Sequence, residues 1–290
     1  MIPDPDTIAA LDRFARRLGA GPVPAATGIP GLAIVRAEAP TEMEHIRYRP
    51  LVCLVLQGEK EASCAQGTLR FGAGESLIVS HLMPVRSRIT RASAPQPYLA
   101  LAHDIDLDEL RALCDRFDGS QVEDARALAP GEADAALAGA MLRLPALAGN
   151  PVEQEVMLPL LKREIHYRLL MARNGAMLRR LARPGSAASR ISRATGHLDA
   201  HAGEPLRVAE LAALAGMSVS SFHQHFRDVT GTTPLQYQKE LRLVEARRQL
   251  QAGQSVTAAA FGVGYGSPTQ FSREYARKFG APPRNDRRPA

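Results

Sequence analysis

The sequence predicts an α+β protein of two parts, a small antiparallel β-barrel or jelly roll with flanking helices, then an all-α domain. Three observations predict this. Between about 31 and 104, short apolar runs alternate with Gly and Pro turns. From 106 onward, apolar residues recur at helical spacing. In the last hundred residues, a helix-turn-helix pattern occurs twice. The 290 residues leave room for two cores.

In chain order, 7–18 predicts a short helix whose apolar face is Ile8, Leu11, Ala15 and Leu18. The run Leu-Val-Cys-Leu-Val-Leu at 51–56 suits a strand buried on both sides, ended by Gln57-Gly58. Gln66-Gly67 reads as a hairpin turn, and strands follow at 68–71, 76–79, 84–90 and 98–103. Helices are expected at 106–117, 132–144 and 153–172. The last carries Leu158, Leu161, Ile165 and Leu169 on one stripe, fit to pack on its own domain or on a second subunit. The domains are read as 1–183, a linker at 184–190 rich in Gly, Ser and Ala, and 191–290.

Ala-Ala-Leu-Ala-Gly-Met-Ser-Val-Ser-Ser-Phe-His-Gln-His-Phe-Arg at 212–227 carries the clearest signal. Gly216 permits the left-handed backbone that stops one helix, and Ser218 can cap the next. Phe222 and Phe226, four apart, share a buried face. Ser220, His223, Gln224 and Arg227 then form a polar face of the kind a DNA major groove admits. The pattern returns at 260–277, offset by 48 residues and, past the extra Gly266, by 49. Ser267, Phe271, Tyr275, Gly280 and Pro283 fall opposite Ser218, Phe222, Phe226, Gly231 and Pro234. Between the copies, 234–251 predicts a connecting helix long enough to hold two reading helices apart.

Charge agrees with this division. From residue 190 onward stand 14 Lys and Arg against 8 Asp and Glu, whereas the first 189 residues balance at 22 against 22. The net charge of +6 therefore lies with the repeated motif, the footprint of a nucleic-acid binder. No apolar run is long enough for a membrane helix, and the acidic start, Met-Ile-Pro-Asp-Pro-Asp, does not read as an export signal. Three scattered cysteines suit a reducing cytoplasm. Cys53 reads as an inert strand residue and Cys64, near a turn, as the better redox candidate.

The chain resembles the AraC/XylS transcription regulators over nearly its whole length. The segments 211–227, Gly-Thr-Thr-Pro-Leu-Gln-Tyr-Gln at 231–238 and Val-Gly-Tyr-Gly-Ser-Pro-Thr-Gln-Phe-Ser-Arg at 263–273 carry the resemblance. Arg-Pro-Leu-Val-Cys-Leu-Val-Leu-Gln-Gly at 49–58, Gly-Ala-Gly-Glu at 72–75 and Pro-Tyr-Leu-Ala-Leu at 97–101 extend it to the sensor domain of one branch. The tail Arg-Asn-Asp-Arg at 284–287 departs from it, since an aromatic residue usually follows the final prolines. The resemblance implies an α+β architecture: an N-terminal cupin-like β-barrel with flanking helices and a C-terminal domain with two helix-turn-helix motifs. It implies double-stranded DNA, RNA polymerase and a small-molecule effector as partners, with a homodimer as a further expectation. Ser220, His223, Gln224, Arg227, Thr269, Ser272 and Arg273 are the expected DNA-reading positions. His225 is expected to pack.

For the effector, His45, His81, Arg86 and Arg88 are the candidate pocket residues, of which the last three suit an anion. His45, His81 and His103 stand singly in the sequence, so neither metal, cofactor nor catalysis is expected. Three classes of function stay open at this stage: a ligand-responsive regulator, a cupin enzyme with a DNA module, and a DNA-bending protein. Base-reading side chains in place of intercalating wedges favour the first.

Overall fold

A computed structural model describes residues 3–114, 128–173 and 175–286. The chain forms two compact units, one built mainly from residues up to 189 and one from 190 onward, with 45–47 and 82–84 grouped with the second.

The first unit opens with α1 (Pro5–Arg17), capped by Asp4, whose carboxylate accepts from Thr7 N at 2.9 Å. Strands β1 (Ala25–Ala26), β2 (Leu32–Ala37), β3 (Glu44–Tyr48), β4 (Leu51–Gln57), β5 (Glu59–Cys64), β6 (Gly67–Gly72), β7 (Glu75–Val79), β8 (Met83–Arg91) and β9 (Tyr98–Asp104) follow. After α2 (Leu107–Cys114) come β10 (Leu128–Glu132), α3 (Ala135–Arg143), α4 (Pro151–Met171) and α5 (Ala176–Ala182). The expected helix at 106–117 is seen to residue 114, and 115–117 lie outside the described residues.

The strands form two antiparallel sheets, β1-β2-β9-β4-β7-β10 and β3-β8-β5-β6. Of the barrel and the jelly roll that the sequence left open, they take the two-sheet form. The reason is a sharp corner at Gly58, where the chain leaves β4 in one sheet and enters β5 in the other. Gly58 has φ +82°, and a Cβ there would stand 2.5 Å from Arg91 O. Strand alternation then decides what each face holds. On the six-stranded sheet, Ile34, Val52, Leu54, Ile78, Leu99 and Leu101 join one cluster with the helices α1 to α5. Cys53, Val55, Leu77 and Ala100 take the opposite face, toward the second sheet.

In α4, Leu158, Leu161, Ile165 and Leu169 are buried in this same cluster. Of the two destinations left open for that stripe, it takes its own domain. The segment expected to be linker is largely helical. Ala187 opens α6 (Ala187–Ala200), and Ser186 Oγ accepts from Ser189 N at 3.0 Å, a short capping bond that starts the helix early.

The second unit continues with α7 (Val208–Leu214), α8 (Val219–Thr230), α9 (Pro234–Gln251), α10 (Val256–Gly262) and α11 (Pro268–Phe279). Phe222 and Phe226 are fully buried, 5.5 Å apart, and Tyr237 of α9 meets Phe226 edge-on at 5.4 Å. In the second half, Phe271 packs against Tyr265 and Tyr275, each at 5.4 Å. Leu243, Ala246 and Leu250 of α9 join these in one core. The unusual tail finds its own anchor: Tyr275 donates to the Asp286 carboxylate at 2.6 Å, and Arg247 pairs with it at 3.3 Å.

Two turn glycines bear unequal loads. Gly264 has φ +84°, and a Cβ would stand 1.9 Å from Gly203 O; Gly253 has φ +94° but open space around it. Gly264→Ala should therefore cost the helical unit more than about 2 kcal/mol, because backbone must move as well as φ strain be borne. Gly253→Ala should cost about 1 kcal/mol. Urea denaturation of the full chain, followed by circular dichroism, checks this; equal losses would contradict the packing described.

Candidate nucleic-acid interface

The two candidate reading helices are built alike. Each has 12 residues, a serine N-cap and a left-handed glycine C-cap. Ser218 Oγ accepts from Ser221 N at 3.2 Å, and Ser267 Oγ from Gln270 N at 3.4 Å. Gly231 (φ +75°) donates to Arg227 O, and Gly280 (φ +74°) to Ala276 O. Ahead of them stand the turn glycines Gly216 (φ +62°) and Gly264, the latter in the tight approach already noted.

With Phe222 and Phe226 turned into the core, helical geometry puts Ser220, His223, Gln224 and Arg227 on the outer face, and all four are exposed. In α11, Phe271 and Tyr275 face inward, Thr269 and Arg273 are exposed, and Ser272 is half-buried. His225 is half-buried and lies 4.0 Å from the Asp228 carboxylate. Two cations were not singled out from the sequence. Arg277 is exposed near the end of α11, and half-buried Arg190 donates to Gly216 O at 3.0 Å, bracing the first turn. Their signal is the excess of basic residues after position 190, which does not say which of them face outward.

Of the effector candidates, His81, Arg86 and Arg88 belong to the first unit and do not all share a face, while His45 is grouped with the second. Arg86 and Arg88, two apart on β8, share its exposed face, while Val85, Ser87 and Ile89 take the buried one. Arg88 pairs with Glu61 at 3.2 Å, and Arg70 holds the same carboxylate at 2.9 Å, lowering its pKa. His45 lies on β3. His81 is buried, with Nδ1 at 2.7 Å from Ser80 Oγ and Nε2 at 3.1 Å from Ala188 O. These bonds occupy both ring nitrogens, so His81 is a structural residue. The inward cation that sequence reading missed is Lys60 of β5, paired in register with Phe71 and Ile89.

Cys64 sits at the end of β5, its Sγ accepting from Gln66 N at 3.4 Å, and burial raises its pKa. Burial also pushes the Cys53 thiol up. A raised thiol pKa lowers the thiolate fraction on which redox sensing depends, so neither site favours that chemistry. Among the described residues, no group of three or more His, Cys, Asp or Glu is placed to hold a metal ion. No described helix is long and apolar enough to cross a membrane.

Comparison with known proteins agrees with this construction. The family described as AraC-type transcriptional regulator N-terminus matches residues 28–177, and a helix-turn-helix domain family matches 211–289. The chain belongs to the AraC-type transcriptional regulators. It is 37 % identical over 125 residues to the probable thc operon regulatory protein of Rhodococcus erythropolis, covering 41 % of this chain and 38 % of that protein. It is 42 % identical over 82 residues to the RCS-specific HTH-type transcriptional activator RclR of Escherichia coli, covering 28 % and 29 %. The aligned stretches thus span well under half of these relatives. The fold is shared with ToxT from Vibrio cholerae, at a TM-score of 0.60 and 10 % identity over 88 % of this chain and 96 % of ToxT.

Buried histidines give this AraC-type chain a defined acid response. Burial holds His81 and His103 at about 4, against an ordinary 6.5. The unfolded chain therefore takes up protons first, and stability falls as pH drops below 6.5, levelling off near 4. Each histidine contributes up to about 3 kcal/mol to this loss. Urea midpoints at pH 7 and pH 4.5 should differ clearly; a flat profile would mean that these rings are not buried as neutral groups.

Proposed function

We propose that this chain is a sequence-specific regulator of transcription that reads duplex DNA with α8 and α11 and responds to a small molecule held by its sheet unit. The carrying observation is the matched pair of capped helices with Gln224 and Arg273 exposed one repeat apart. Gln224 suits bidentate pairing with adenine, and Arg273 with guanine O6 and N7. Ser220, His223, Arg227, Thr269 and Ser272 serve further bases or phosphates, with Arg190 and Arg277 as added phosphate contacts. The basic excess supplies the salt-dependent part of the affinity. The reading has no catalytic step, and it places the protein in the cytoplasm with promoter DNA and RNA polymerase.

A homodimer fits the outer face of α4. Val152, Val156, Leu160, Tyr167 and Met171 lie along one exposed stripe, four or seven residues apart. Glu153 and Glu155 stand near its start, and Arg163 and Arg168 near its end. Two copies packed antiparallel would set acid against base at both ends, the self-complementary arrangement a two-fold dimer requires.

Footprinting on the intergenic DNA beside the gene tests the main reading. Gln224→Ala and Arg273→Ala should each weaken specific binding by roughly 5- to 150-fold, equivalent to about 1–3 kcal/mol. Non-specific binding at low salt should change little. Equal affinity for every sequence would overturn base reading and favour a bending protein. Leu160→Glu should shift the protein toward monomer in analytical ultracentrifugation; an unchanged sedimentation profile would remove α4 from the interface.

A further inference from the structure

One side of α6 carries a basic stripe beside the first helix-turn-helix. Arg190, Arg193, His197 and His201 follow one another at spacings of 3, 4 and 4, which places them on one helix face. The helical bonding reaches His201, whose N–H donates to His197 O at 3.0 Å. Ile191, Ala194 and Leu198 take the buried side, while Arg193, His197 and His201 are exposed. Among the described residues the Arg193 guanidinium forms no ion pair within 4.0 Å. Both ends of the stripe touch the motif. Arg190 donates to Gly216 O in the turn ahead of α8. His197 and His201 line a cleft with Arg207, Glu210 and Leu211 at the start of α7. In a helix-turn-helix the second helix enters the major groove and the first crosses the sugar-phosphate backbone.

The two histidines form a stacked pair, with ring centres 4.2 Å apart and planes 25° from parallel. His201 Nδ1 lies 3.0 Å from His197 O. A carbonyl only accepts, so Nδ1 holds the hydrogen and Nε2 is the nitrogen left to take a further proton. Two imidazolium rings at such a distance repel, and an anion laid over them removes the repulsion and accepts from the new N–H. The fixed charges around the pair balance: Arg193 and Arg207 stand against Glu204 and Glu210, with Glu210 held by Arg207 at 2.9 Å. Asp199 is engaged by Arg47 at 2.7 Å, and Gln238 of α9 is neutral and donates to Ala202 O and Glu204 O. None of these groups neutralises a doubly charged pair.

We infer that this face of α6 is a proton-linked contact for the DNA backbone: Arg190 and Arg193 take phosphates, and the His197–His201 pair takes up a proton as a further phosphate is laid over it. Acid then tightens the hold of the first helix-turn-helix on any duplex without changing which sequence is preferred, because phosphates carry no sequence information. This inference rests on the reading of α8 and α11 as DNA-reading helices.

The test uses the full chain with the duplex recovered by footprinting and with a random duplex, at pH 8.0 and pH 6.5, above the acid range in which the buried histidines weaken the fold. Random-duplex binding should tighten severalfold at the lower pH, within the limit of about tenfold per pH unit that one proton sets. Calorimetry in two buffers of different ionisation enthalpy should show net proton uptake. Replacing both histidines, His197→Gln with His201→Gln, should remove the gain and the uptake while the footprint at pH 8.0 stays as in the wild type. Arg193→Ala should lower the slope of log affinity against log salt by about 1 and keep the pH response. His223→Gln should leave the random-duplex response intact, since a base-reading imidazole acts on the footprinted duplex alone. The inference is overturned if random-duplex affinity is the same at both pH values, if proton uptake is confined to the footprinted duplex, or if the doubly substituted chain responds as the wild type does. A wild-type chain that binds no duplex selectively at pH 8.0 would instead overturn the regulatory reading.

Discussion

Four aromatic side chains set the phase of everything the helical unit presents to solvent. Phe222 and Phe226 on one helix, and Phe271 and Tyr275 on the other, are buried completely. A helix pinned at two positions four apart has no rotational freedom left, so its remaining residues are sorted into inner and outer by geometry alone. Gln224 and Arg273 are exposed because these rings are not. The caps finish the job at either end: a serine fixes where each helix begins, and a left-handed glycine where it stops.

In the sheet unit the corresponding constraint is alternation. Along β8, Val85, Ser87 and Ile89 are buried while Arg86 and Arg88 are exposed. The same rule sends Lys60 inward and leaves Glu61 to the arginines outside. Moving the register of β5 by one residue would exchange these roles, setting the ammonium against Arg70 and Arg88 and turning the carboxylate to the opposite face. The Gly58 corner, which no larger side chain fits, sits immediately ahead of that strand.

Much of this was legible in the sequence, for identifiable reasons. The helical unit could be placed nearly residue by residue because caps, turn glycines and aromatic spacing are local signals, and α9 (Pro234–Gln251) coincides with the expected 234–251. The strand unit was readable as a class but not as a site. β5 was missed because Glu59-Lys60-Glu61 does not resemble a buried strand; only its pairing with β6 and β8 shows which residue turns inward. Arg86 and Arg88 attracted attention as charges near strands, but charge does not reveal a face. The segment 184–190 contains the start of α6 because Gly, Ser and Ala also begin helices when a hydroxyl is placed to cap them, as Ser186 is.

The two outward helices match in length, in caps and in the placement of their aromatic pair, so residues 49 apart occupy equal stations: Ser220 with Thr269, His223 with Ser272, Gln224 with Arg273. The scaffold is duplicated while its lettering is not. Under the proposed reading, such a frame separates two evolutionary tasks, since substitutions at these exposed stations would alter what the helices present without disturbing the bundle beneath.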